Sequence, residues 1–168
     1  MSDIVSIELL LDPETEARVR ADWERLAEAG LSSMASHHAA SNRPHVTLLV
    51  RPALDDIRFS DALAHLPLPV VLGAPIVFAH GTRGVLARQV VMGAELLRLH
   101  SSVHAEAGPG KDSPHTAPGD WTPHVTLARR LRQEDLSRAL TLVGPEVLGS
   151  GVALRRWDSR TAAVTPLS

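Results

Sequence analysis

The stretch "RPHVTLLVR" spans Arg43–Arg51, and "TPHVTLARR" spans Thr122–Arg130; both contain Pro-His-Val-Thr-Leu. The β-branched and aliphatic run after each proline reads as a strand. Residues two apart in a strand project to one face. His45 and Thr47 therefore form one pair, and His124 and Thr126 another. Val46 and Val125 turn the other way, toward a core. Each copy thus sets an imidazole beside a hydroxyl on a stiff element, a sound way to hold reacting groups in place.

The surroundings of the two copies also correspond. "IVSIELLL" (Ile4–Leu11) reads as a strand. Asp12 caps a helix whose first turn takes Pro13, and Val19, Trp23 and Leu26 share a face of it. A polar loop, the first motif strand, a short helix around "DIRFSDALAHL" and a strand "VVLGAPIVFA" follow. A hairpin at "HGTRG" leads to "GVLARQVVM", the helix "AELLRLHSSVHAEAG", a second polar loop and the second motif strand. One more helix and two strands, near "GVALRRWD" and "RTAAVT", complete the chain. The spacing of the motifs is that of a duplicated half-domain, too long for a solenoid repeat. The expectation is a single domain over residues 1–168, with approximate repeats at 1–80 and 81–168.

Composition narrows the function. With 168 residues and 44% apolar content, the chain suits one full-sized domain. A net charge of −2 gives no general affinity for polyanions. There is no cysteine, which excludes disulfides, thiolate metal sites and a cysteine nucleophile. The N-terminal strand lacks the basic start of a signal peptide, and no apolar run is long enough to span a membrane. A cytoplasmic monomer is expected. Tyrosine is absent, with three Trp and two Phe, so stacking platforms for nucleic-acid bases are sparse.

Two His/Thr pairs around one cleft define a chemistry. Imidazole titrates near neutrality, so one ring can accept a proton while the other donates one. The hydroxyls can bond the non-bridging oxygens of a phosphodiester as charge develops. Such a site needs no metal and no cofactor. At this point the chain resembles the 2H phosphoesterase superfamily, in its 2′-5′ RNA ligase-like and cyclic phosphodiesterase branch. The resemblance implies an α+β, bilobal, duplicated fold with two antiparallel sheets flanking a central cleft and helices outside. It implies cleavage of 2′,3′-cyclic phosphates to 2′-phosphates, or 2′-5′ ligation and cleavage, on an RNA end or small cyclic nucleotide. Carried over by motif position, His45 and His124 are the acid–base pair, with His124 activating water and His45 protonating the leaving oxygen. Thr47 and Thr126 hold phosphate. A non-catalytic nucleotide- or RNA-binding module with the same cleft is the alternative.

The resemblance also implies a phosphate-contacting arginine five positions after the second histidine, which is Arg129. Strict strand alternation instead gives Arg130 the parity of His124, unless the strand bulges. Relatives carry an aromatic shortly after the first motif; here the sequence is "LLVRP", and Trp121 is the candidate stacking group. His115, in the loop before the second motif, is a candidate for the cleft rim.

Other features read as structural. His100 and His104 are four apart on a helix but lack the HExxH pattern, and they suit the edge of a core. "GPGKDS" (Gly108–Ser113) has Asp112 where a P-loop needs Ser or Thr, and reads as a flexible loop. "LRRWDSR" (Leu154–Arg160) reads as an exposed basic strand and turn.

Overall fold

The computed structural model describes residues 3–168. Seven strands, β1 (Val5–Leu11), β2 (His45–Arg51), β3 (Leu68–His80), β4 (Arg83–Val90), β5 (His124–Arg132), β6 (Val147–Asp158) and β7 (Ala163–Leu167), combine with four helices, α1 (Pro13–Glu28), α2 (Ser60–Leu63), α3 (Ala94–Ala107) and α4 (Leu136–Leu142). The fold is α+β, and every strand pairing is antiparallel. No helix among the described residues is long and apolar enough to cross a membrane.

The expected pair of sheets is replaced by one continuous sheet, in the order β2-β1-β6-β3-β4-β5, with β7 paired to β6. The cause is the length of β3 and β6. Each is used twice: Leu68–Leu72 of β3 pairs with Val147–Gly151 of β6. The remainder of β3 pairs with β4, and the remainder of β6 with β1. This central ladder welds two three-stranded halves. The strand order is unchanged when β1, β2 and β3 are exchanged for β4, β5 and β6. The two motif strands are the outermost of that order, yet the sheet curls until β2 and β5 come into contact, with no ladder between them.

Local chemistry sets the helices. Asp12 Oδ1 accepts from the backbone N–H groups of Glu14 and Thr15, each at 3.0 Å, and Pro13 opens α1. Val19, Trp23 and Leu26 pack into the core from α1, and Leu96, Leu99 and Val103 from α3. A Cβ at Gly149 would lie 1.8 Å from Thr15 Oγ1, so glycine there lets α1 sit directly on β6. An ion pair ties α1 to the sheet from the interior: Arg88 Nε of β4 meets Asp22 Oδ2 of α1 at 2.6 Å, both fully buried.

Candidate active site

Both motif histidines open their strands, and both are held the same way. His45 Nδ1–H donates to the Arg43 carbonyl at 2.7 Å, and His124 Nδ1–H to the Thr122 carbonyl at 2.8 Å. A carbonyl only accepts, so Nδ1 carries a hydrogen in each ring. Neutral rings so tethered keep an unprotonated Nε2 for proton exchange. Thr47 and Thr126 are half-buried beside their histidines, while Val46 and Val125 are fully buried in the core.

Each motif ends in a β-bulge at its leucine. Ile7 pairs with Leu49 and Glu8 with Thr47, leaving Leu48 as an extra residue. Leu86 pairs with Ala128 and Ala87 with Thr126, leaving Leu127 extra. The freed edge carbonyls are satisfied by side chains. Trp121 Nε1–H donates to the Thr47 carbonyl and Trp23 Nε1–H to the Thr126 carbonyl, each at 3.0 Å. His104 Nε2–H donates to the Leu48 carbonyl at 3.1 Å.

The second bulge decides which arginine shares the histidine face. It resets the alternation, so that Leu127 and Ala128 are both buried and Arg129 emerges, exposed, on the side of His124 and Thr126. Strict alternation, which favoured Arg130, fails for this reason. Arg130 occupies a further irregularity, between the Leu86–Ala128 and Gly84–Leu131 pairs, with φ 58.

The two rings meet different surroundings. Glu8, on β1, is buried, with Oε1 3.6 Å from His45 Nε2. Its carboxylate accepts from Ser6 Oγ at 2.7 Å and from Arg155 Nε at 2.7 Å. Burial pushes the Glu8 carboxyl upward, but His45, Arg155 and Ser6 together hold it below the usual carboxylate range. Arg155 also lies beside the ring, with Nη2 3.4 Å from His45 Nδ1. Among the described residues, no carboxylate pairs with His124 in this way. Burial above all pushes it below the ordinary imidazole range; the Thr122 carbonyl opposes this, and positive charge on His45, His115 and Arg129 adds to it.

A cavity of about 490 Å³ opens beside His124, with Thr47, Phe78, His115, Thr116 and Thr122 on its walls. Phe78, from the end of β3, lies over His124 with ring centroids 4.7 Å apart, and His115 is 5.7 Å from Phe78. His115 is thus placed at the rim. Trp121 is not: it is buried, stacked on His100 at 3.9 Å, and offers no face to a ligand. The aromatic of this cleft is Phe78, which the linear motif does not reveal because a distant hairpin delivers it.

His100 and His104 are buried in the core, and among the described residues no cluster suited to a metal ion occurs. The Gly108–Ser113 loop is anchored, since Asp112 Oδ1 accepts from Arg51 Nε at 2.7 Å. The Leu154–Arg160 stretch is not simply exposed: Arg155 is the buried partner of Glu8. A charged residue inside the apolar run of β1 was the signal for that pair, because a buried carboxylate requires a cation.

Comparison with known proteins follows this geometry. A model of the 2′-5′ RNA ligase superfamily matches residues 11–161. No curated protein matches the chain. Among solved structures, Usb1 of Kluyveromyces marxianus is similar in fold, with a TM-score of 0.53 at 15% identity, covering 99% of this chain and 98% of that one. The same protein with uridine monophosphate gives a TM-score of 0.48 at 13% identity, with the same coverage of 99% and 98%.

Proposed function

From the premise that the chain belongs to the 2′-5′ RNA ligase superfamily, we propose that it is a phosphoesterase that hydrolyses 2′,3′-cyclic phosphates, of RNA ends or nucleotides, to 2′-phosphates. The observation that carries this reading is the pair of His-x-Thr strands, whose rings share one tether through Nδ1 and differ in what surrounds them. His124, disfavoured as a cation, is the base: its Nε2 takes a proton from water as the water oxygen bonds to phosphorus. His45, beside an ionised carboxylate, is the acid: its Nε2–H protonates the 3′ oxygen as the phosphorus–oxygen bond breaks. Thr47, Thr126 and Arg129 hold the non-bridging oxygens, so the negative charge that builds on those oxygens is stabilised by fixed donors. Phe78 gives the ribose or base an apolar wall. With a 5′-hydroxyl in place of water as the nucleophile, the same pair would join strands: His124 takes the hydroxyl proton, the 5′ oxygen bonds to phosphorus, and His45 protonates the departing 3′ oxygen.

The test is incubation with 2′,3′-cyclic mononucleotides and cyclic-phosphate RNA ends in EDTA, with chromatographic separation of 2′- and 3′-phosphate products. The 2′-phosphate should accumulate with wild-type protein and vanish with His45→Ala or His124→Ala. No turnover of any of these substrates would refute the assignment.

A further inference from the structure

A second cleft, of about 860 Å³, lies along β5 beyond Arg129 and is lined by four arginines: Arg83, Arg129, Arg130 and Arg132. Their concentration runs against a chain whose net charge is −2. Arg132 pairs with Glu134 at 2.7 Å and Asp135 at 2.9 Å. Among the described residues, no carboxylate forms an ion pair with Arg83, Arg129 or Arg130. Arg83 and Arg132 are moreover directly opposite one another in the β4–β5 ladder. Like charges so placed repel and weaken a ladder. Arg130 adds a left-handed backbone, φ 58, which favours glycine over a long side chain. Two local costs thus fall on one patch of exposed cations.

The opposite wall is pinned rather than loose. Ser32 Oγ donates to the Arg129 carbonyl, and Ser33 Oγ accepts from Ala35 N at 3.0 Å to cap a short 3₁₀ turn. Ser36 Oγ donates to the Ser33 carbonyl at 2.7 Å. The cleft is therefore preformed. It lies along the same strand as the second motif, because Arg129 belongs to its lining and shares the His124 face, three strand residues (about 10 Å) beyond Thr126.

We infer that this cleft is a subsite for the phosphate backbone of single-stranded RNA leading away from the reacting end. The inference rests on the phosphoesterase reading for the identity of that end. Arg129 takes the reacting phosphate, and Arg83 and Arg130 take phosphates further along. The enzyme is accordingly selective for oligonucleotides over mononucleotides, and the selectivity is sensitive to salt, since each neutralised phosphate releases counterions.

Arg83→Glu tests this with little risk to the fold, because Arg83 is exposed and the change removes a repulsion with Arg132. Two substrates are compared, a 2′,3′-cyclic mononucleotide and a short single-stranded RNA ending in 2′,3′-cyclic phosphate. For the RNA, kcat/KM should fall by about tenfold or more through KM, with a shallower salt dependence. For the mononucleotide it should stay within about twofold, and Arg83→Lys should restore most of the RNA activity. Equal loss on both substrates, or no loss on RNA, overturns the subsite. Fluorescence anisotropy with the RNA oligonucleotide reads the cleft without turnover. Binding weakened by Arg83→Glu in a protein that hydrolyses neither substrate would sustain the subsite and refute the phosphoesterase reading. Unchanged binding would overturn the subsite.

Discussion

Glu8 and His45 are diagonal neighbours across the β1–β2 ladder, with Oε1 3.6 Å from Nε2, and Glu8 is in turn ion-paired with Arg155 at 2.7 Å. A buried carboxylate here makes sense only if a cation accompanies it, and the ring and the guanidinium share that task. Glu8→Gln keeps the shape and removes the charge. It should lower kcat by about tenfold to a hundredfold with KM changed by less than about threefold, the split expected of a group that supports the proton donor without touching substrate. Steady-state kinetics on a cyclic mononucleotide measure this. A change confined to KM would show that Glu8 has no part in proton donation.

The surroundings of His124 set the acid side of the pH profile. A base must be neutral, and burial first, then nearby positive charge, holds this ring below the usual imidazole value of 6.5. Activity should therefore persist as pH falls below 6.5 and decline only at the lower value. In His124→Ala, kcat should drop by about a hundredfold to ten-thousandfold, and that limb of the kcat/KM profile should disappear. His45→Ala should cost a similar factor, and the double variant little more than either, because the two act as a unit.

Arg129 and Arg130 are neighbours with separate fates. Arg129→Ala should lower kcat/KM by about a hundredfold, the scale for removing one donor to a developing charge. Arg130→Gly should instead raise stability by about 1 kcal/mol, since glycine adopts φ 58 without the clash an L side chain meets. Denaturant unfolding of both variants, beside their kinetics, separates a contact from a strained position.

Much of this was legible in the chain. Alternation placed His45 with Thr47 and His124 with Thr126, because side-chain parity within a strand is a local property. Asp12 and Pro13 marked the start of α1 for the same reason. Parity beyond Thr126 was not legible, because the bulge at Leu127 exists only against the register of β4. The union of two half-sheets was hidden likewise: nothing local in "LPVVL" (Leu68–Leu72) says that it pairs with Val147–Gly151. Phe78 reaches His124 through the curl of the sheet. Trp121 was legible as an aromatic near the motif, but its burial depends on His100 from α3, whose ring it stacks upon.

That stack carries a pH dependence of its own. His100 is buried, its Nε2–H donating to the Thr116 carbonyl at 2.8 Å, and burial above all lowers its pKa from 6.5 to about 4. The unfolded chain binds a proton near 6.5, while the folded chain resists it down to about 4. Between those values the unfolded state holds more protons, so stability rises with pH; it is fully present above 6.5 and is lost as pH falls toward 4. The loss is on the order of 3 kcal/mol across the window. Urea unfolding at pH 7 and pH 5 should show this decline in the wild-type protein. His100→Gln, which removes the titrating group, should be less stable at pH 7 through loss of the stack on Trp121 and yet show a smaller difference between the two pH values. An equal difference in both proteins would assign the acid sensitivity to other groups, Glu8 excepted, because its depressed carboxyl loses its stabilising charge only below pH 4.5, outside this window.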